Sequence, residues 1–173
     1  MHGVILKGLK DHVTDVHGPA TWAQVIDDAA VEPKLYLPVT TYPADEWAEL
    51  VETTVVVTGD DQEQLLANVG ETVGPALLET FRAHVRPDWD ALEAIASLES
   101  LFARLNEDET GSSPEVTCGR LDGAVDVYYY SGREECSLVE GLIRGIAAEY
   151  DESVTITPRE DGPEGCRFLV EPA

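Results

Sequence analysis

The hydrophobic period of the chain changes about two thirds of the way along, and this change most constrains the fold. Up to about residue 106, apolar residues recur every three or four positions, as on the buried faces of helices. After Pro114, short β-branched and aromatic runs alternate with turns, and one apolar helical stretch begins at Ser137. The pattern predicts one α+β domain over 1–173, with a helical part (1–107) packed on a β-β-α-β-β part (114–171) whose four strands form an antiparallel sheet.

Capping and helix-breaking residues divide the two parts into elements. Gly18 ends the first helix, and Asp60 or Asp61 is placed to cap a later helix that Pro75 kinks. The apolar stripe then predicts one long helix from residue 88 or 89 to about 106. Strands are predicted over 116–120, 124–131, 154–157 and 167–170, with a polar loop over 107–113, a hairpin turn at 121–123 and another turn at 161–163.

The charge of the chain excludes some partners. With 34 acidic and 11 basic residues, its formal net charge is -23, so nucleic acid and anionic membranes would be repelled. Scarce lysine beside abundant acid is typical of a halophilic protein, because concentrated salt screens the self-repulsion. Acidic pairs such as Asp60-Asp61 and Glu134-Glu135 are expected on solvated faces.

Targeting, cysteine and catalytic patterns give further expectations. The start of the chain lacks a long apolar run behind a basic front, so a cytoplasmic protein is expected. Cys118, Cys136 and Cys166 are odd in number and form no Cys-x-x-Cys pair, which predicts reduced, mostly buried thiols rather than a zinc site or a disulfide framework. The absence of Gly-x-Ser-x-Gly, His-Glu-x-x-His and phosphate-loop motifs predicts a binding domain rather than an enzyme.

A row of hydrogen-bond donors marks the end of the second predicted strand. In an extended strand, Tyr129, Ser131 and Arg133 would share one face about 6.6 Å apart and offer a phenol, a hydroxyl and a guanidinium. Val125 and Val127 precede them on that face, so an acidic, amphiphilic ligand would meet donors beside an apolar wall. The structural alternative is an ordinary strand with a surface arginine paired to the glutamates that follow it.

These residues resemble a known family. In the haem nitric-oxide/oxygen-binding (H-NOX) family, found alone in prokaryotes and at the N-terminus of soluble guanylate cyclase, a Tyr-x-Ser-x-Arg signature grips both haem propionates. Tyr129, Ser131 and Arg133 match that signature. Other positions follow the family pattern over nearly the whole chain: Gly3, Gly18, Trp22, Tyr42, Asp45, Gly70, Pro114, Gly141, Leu142, Ile143 and Phe168-Leu169-Val170. The resemblance implies an H-NOX-like fold with a pocket between its two parts.

The iron ligand of the family is missing. The family pattern Leu-x-x-Leu-His is replaced here by Leu98-Glu99-Ser100-Leu101-Phe102, and no histidine lies between residues 88 and 129. Phenylalanine cannot bind iron, so Phe102 is expected to pack in the core. Candidates for another axial ligand are His84, His2 and Cys118, each of which also has an ordinary explanation as a surface, packed or inert buried residue.

The resemblance also implies which side chains line the pocket. Four apolar residues are expected on the distal side: Val4, Ile5, Leu9 and Val73. Four are expected on the proximal side: Leu98, Leu101, Phe102 and Pro114. Large side chains such as Phe81 and Phe102 would be able to fill the space instead.

Two functional interpretations follow from the resemblance. In the first, the domain binds haem or a related tetrapyrrole through its propionates, and senses haem, NO or CO without the usual histidine. An apolar distal side without a tyrosine disfavours stable oxygen binding. In the second, the domain is a haem-free scaffold or protein-interaction module. By family analogy, either would act on a separate downstream signalling protein.

Overall fold

A computed structural model of the protein describes residues 1–107, 114–133, 135–159 and 164–173. Most of the predicted polar loop and the predicted turn at 161–163 lie outside these ranges. Seven α-helices and four strands are formed by the described residues. The helices are α1 (Gly3–His17), α2 (Pro19–Asp28), α3 (Ala44–Thr58), α4 (Gln62–Thr80), α5 (Ala91–Ala96), α6 (Leu98–Leu105) and α7 (Cys136–Glu149). The strands are β1 (Glu115–Leu121), β2 (Ala124–Tyr130), β3 (Val154–Pro158) and β4 (Cys166–Pro172).

The cap of α4 agrees with the sequence, but the predicted long helix is divided. Asp61 caps α4 by accepting a hydrogen bond from the Gln64 backbone N–H at 3.1 Å. Asp90 and Glu93 form a capping box that starts α5 at Ala91, later than predicted. The helix is interrupted at Ser97, whose hydroxyl donates to the Ala94 carbonyl at 2.6 Å and tightens the chain there. The two pieces, α5 and α6, replace the single predicted helix.

The four strands form one antiparallel sheet in the order β1-β2-β4-β3. β2 is central, and its alternate residues Val125, Val127 and Tyr129 are buried. Cys166 on β4 lies opposite Tyr129. This register places the beginning of β4 beside the end of β2, where the predicted donor row begins.

Glycines allow α4 and α7 to cross at close range. A Cβ atom at Gly70 would collide with the Leu138 carbonyl oxygen, and one at Gly141 would collide with the Ala67 carbonyl oxygen. The crossing joins the helical part to the C-terminal part, and one cluster of buried apolar residues extends through both. Within the described ranges, no helix combines the length and apolar character needed to cross a bilayer.

Candidate functional site

A small apolar cavity lies between α1, α6, α7 and the first two strands, where the sequence predicts a ligand pocket. Its volume is about 10 Å³, close to the space one water molecule occupies. Nine side chains line it: Ile5, Leu98, Phe102, Val116, Val127, Tyr129, Leu138, Val139 and Leu142. The space that these nine side chains enclose is called the apolar cavity.

Phe102 occupies much of the space in this region. Its buried ring meets the Tyr129 ring edge to face, with centroids 6.3 Å apart, and lies 6.5 Å from the His2 ring on a second side. Such packing is the core role predicted for Phe102. The aromatic contacts place protein atoms where an open pocket would need space.

The predicted lining residues are divided between the apolar cavity and the surrounding core. Ile5, Leu98 and Phe102 line the cavity, as does Tyr129 of the predicted donor row. The others are buried around it: Val4, Leu9, Val73, Leu101 and Pro114. The carbonyl of Pro114 accepts a hydrogen bond from Asn106 Nδ2 at 3.1 Å, so this residue also helps to fix the end of α6.

The predicted donor row does not share one strand face. β2 ends at Tyr130, and Gly132 takes a positive φ of 75°, which turns the chain away from the sheet. Tyr129 is buried, Ser131 is half-buried and the Arg133 side chain is 38% exposed. Arg133 donates to the Ala44 carbonyl at 3.3 Å. The prediction of an aligned row is therefore wrong in its geometry, because the strand stops before the row is complete.

A buried carboxylate lies where the side chains of Trp47 and Ser131 meet. Glu135, only 4% exposed, accepts a hydrogen bond at Oε1 from Trp47 Nε1–H at 2.6 Å and at Oε2 from the Ser131 hydroxyl at 3.0 Å. The expectation of a solvated Glu134-Glu135 pair is wrong for Glu135. Trp47, on α3, was not among the predicted site residues, because local sequence patterns cannot show contacts between residues 88 positions apart.

The phenol of Tyr129 connects this carboxylate with the apolar cavity. Its hydroxyl is buried and has no hydrogen-bond partner among the described residues. Burial and the negative charge of Glu135 raise the pKa of Tyr129, so the phenol is neutral at physiological pH. A buried neutral donor without an acceptor lowers the stability of the folded protein, so the Tyr129 hydroxyl requires an explanation.

A disulfide between Cys136 and Cys166 borders the same region, contrary to the prediction of reduced thiols. Their Cα atoms are 5.3 Å apart. The pairing was missed because it depends on the sheet register: Cys166 lies opposite Tyr129, and α7 starts at Cys136 shortly after β2 ends. Cys118 alone keeps a free thiol.

The three candidate axial ligands are not brought together. His84 is exposed in a short 3₁₀ turn after α4, whereas His2 is buried and donates from Nε2–H to Asn106 Oδ1 at 2.8 Å. Burial raises the pKa of the Cys118 thiol to about 11, and its Sγ donates to the Ile95 carbonyl at 3.6 Å. In the described part of the chain, no group of three His, Cys, Asp or Glu side chains could hold a metal ion.

Comparison with known proteins identifies the family. The haem-NO-binding (HNOB) family model matches residues 2–158. The chain belongs to this H-NOX family. An oxygen-binding H-NOX domain related to soluble guanylate cyclases has a TM-score of 0.83 and 18% identity, covering 98% of this chain and 93% of the other. An H-NOX protein from S. oneidensis in its Fe(II)NO state also has a TM-score of 0.83 and 18% identity, covering 100% and 99%. No curated protein matches the chain.

The family match and the shared fold confirm two predictions. The first is the prediction of a binding domain rather than an enzyme, since the matching family is a haem-NO-binding sensor family. The predicted fold class, helices packed with a four-stranded antiparallel sheet, is also confirmed. At such low identity the solved structures establish the fold alone.

The described residues of this member do not fit a haem in the observed conformation. Ligand pockets commonly enclose several hundred Å³, whereas the apolar cavity has about 10 Å³. Two of the polar groups nearby, Trp47 and Ser131, already donate to Glu135. Space and polar contacts are thus both taken by the chain itself.

Proposed function

We propose that this chain is a haem-free H-NOX domain that serves as a scaffold or protein-interaction module in signalling. The observation that supports this proposal is the small size of the apolar cavity, which Phe102 and its neighbours fill. A closed core is stable without a ligand, because its apolar surfaces are already removed from water. The domain then has no need of an iron ligand at residue 102.

The proposal treats 1–173 as one domain, with 1–107 and 114–171 as its two parts. The common core supports this, since residues from both parts belong to one buried apolar cluster. Its proposed partner is a downstream signalling protein, and neither nucleic acid nor a membrane is expected as a partner of a chain with net charge -23. We also propose that the domain is adapted to concentrated salt and acts in the cytoplasm.

Haemin titration tests the proposal directly. The protein would be purified in molar salt, and absorption spectra would be recorded as haemin and then dithionite are added. We expect no saturable Soret band beyond that of free haemin. A saturable band at one haem per chain would overturn the proposal, and its position would help to identify the axial ligand.

Two variants make a negative result informative. Phe102→His places an imidazole at the position that the family uses for iron, while Phe102→Leu is a control of similar polarity without a ligand. If wild type and Phe102→Leu fail to bind but Phe102→His binds, residue 102 limits haem binding. Saturable binding by Phe102→Leu as well would show that the wild-type ring excludes haem by its size.

Binding of haem or a related tetrapyrrole is the second candidate function. It is favoured by the buried Tyr129 hydroxyl, which lacks a partner among the described residues. In this alternative, Tyr129, Ser131 and Arg133 hold the propionates after local opening, and His84, His2 or Cys118 supplies an axial ligand. An apolar distal side would favour NO or CO. Arg133→Ala should then lose the ligand while the fold remains intact, because a charge-assisted contact to a propionate is lost.

A further inference from the structure

Both oxygens of the Glu135 carboxylate are held by neutral donors from distant parts of the chain. Trp47 Nε1–H on α3 donates to Oε1 at 2.6 Å, and the Ser131 hydroxyl, just after β2, donates to Oε2 at 3.0 Å. Burying an ionised carboxylate is costly unless hydrogen bonds replace its hydration. The two donors meet this requirement for a side chain that is only 4% exposed.

The chemistry of these donors favours an anion with two oxygens. An indole N–H can only donate, and an ionised carboxylate can only accept, so Trp47 and Glu135 are complementary. Glu135 also precedes the first turn of α7, where the helix dipole favours negative charge.

We propose that Trp47 and Ser131 form a carboxylate-binding site and that the chain fills it with its own Glu135. The side chain occupies a place that suits the carboxylate of an external ligand, and it connects α3 with the start of α7. This inference rests on the proposed haem-free function, because the internal carboxylate replaces an external one. With Glu135 removed, the site should accept a small monocarboxylate.

Chemical rescue tests the assignment. Glu135→Ala leaves a carboxylate-sized space beside Trp47 and Ser131, so we expect a lower Tm that sodium propionate restores saturably. Wild type should show no saturable response. Sodium chloride at equal ionic strength controls for screening of the acidic chain, and propionamide controls for shape without charge. Glu140→Ala, which removes a surface glutamate of α7 that pairs with Arg144, is the matched variant.

The donors must be necessary for the rescue. In Trp47→Phe/Glu135→Ala and Ser131→Ala/Glu135→Ala, we expect propionate to restore less of the lost Tm than in Glu135→Ala. Equal restoration in all three variants, or equal restoration by propionamide, would overturn the site. An absence of rescue in a folded Glu135→Ala protein, judged by circular dichroism, would overturn it as well.

A double-mutant cycle covers the case in which Glu135→Ala fails to fold. Ser131→Ala and Glu135→Gln are smaller changes, and their effects on Tm should be non-additive because each removes the charge-assisted hydrogen bond between Ser131 and the Glu135 carboxylate. Additive effects would overturn the inference. Rescue and haem titration test different claims. If propionate rescues Glu135→Ala and wild type also binds haem, only the proposed function is contradicted. If propionate does not rescue and wild type does not bind haem, only the carboxylate site is contradicted.

Discussion

The apolar cavity lies next to the Glu135 site, which consists of Glu135 and its donors Trp47 and Ser131. The two regions are closed in different ways. The cavity is closed by volume, since Phe102 and Tyr129 pack edge to face and leave about 10 Å³. The Glu135 site is closed by matched hydrogen bonds, since the buried carboxylate accepts one from Trp47 and one from Ser131. The Tyr129 ring lines the cavity, and the negative charge of Glu135 contributes to the raised pKa of its phenol.

The difference shows that an apolar space and a group of buried donors have different requirements. Any apolar side chain of suitable size can fill an apolar space, because dispersion and the hydrophobic effect are not directional. Buried donors are more demanding, since each one without an acceptor costs about 1 to 3 kcal/mol. Closing the two regions therefore takes bulk in the apolar cavity and an acceptor beside the donors.

The largest effect is expected in the apolar cavity. Phe102→Ala should lower the free energy of unfolding by about 3 to 5 kcal/mol, because it removes a buried aromatic ring and leaves a void. Denaturation in urea at constant salt would measure the loss. Val56→Ala, at a side chain that is 78% exposed, should change stability by less than about 0.5 kcal/mol. Similar losses for both variants would show that Phe102 is not a core residue.

Loss of the disulfide, which borders the Glu135 site, is expected to lower the free energy of unfolding slightly less than Phe102→Ala. Cys136 and Cys166 are 30 positions apart, and opening a loop of that length should cost about 3.5 kcal/mol. Denaturation with and without reductant would measure it. A Cys136→Ser/Cys166→Ser variant should be as unstable as the reduced protein and insensitive to reductant. No effect of reductant on wild type would mean that the thiols are not paired in solution.

Arg133 should contribute little to the stability of the domain. Its half-exposed guanidinium is 3.9 Å from Asp45 and donates to one backbone carbonyl, so Arg133→Ala should cost about 1 kcal/mol or less. Arg86→Ala, which removes another surface ion pair, is the control. A loss well above that of the control would place Arg133 within the Glu135 site rather than at its edge.

Tyr129→Phe should have the smallest effect at neutral pH. The substitution keeps the ring and removes a hydroxyl that lacks a partner in the described structure, so stability should be unchanged or rise by up to about 1 kcal/mol. A measured loss above about 1 kcal/mol would mean that the hydroxyl is hydrogen-bonded in solution.

The same variant has an expected pH signature. The pKa of Tyr129 is raised in the folded protein, so the folded state keeps this proton after the unfolded chain begins to lose it near pH 10. Wild-type stability should therefore decline as pH rises above about 10, and Tyr129→Phe should decline less. Tyr130→Phe, at a more exposed position, is the control. Equal pH dependence for wild type and Tyr129→Phe would contradict the raised pKa.

The sequence by itself determined the helical part, the sheet and the family. These features depend on local or repeated signals: apolar spacing, the Asp61 cap, the turn glycines and motifs such as Gly70 and Gly141 at fixed positions. Phe102 could likewise be assigned to the core, because its stripe of apolar neighbours on the helix is visible in the sequence.

Only the tertiary structure decided which donors meet the Glu135 carboxylate. Glu135 follows another glutamate and has no local sign of burial, yet Trp47, 88 positions away, supplies its donor. The Cys136–Cys166 pair depends on strand register in the same way, and the donor row fails because Gly132 ends the extended backbone early. Packing brings these groups together across long separations, and no spacing rule along the chain records which distant donor will meet a given carboxylate.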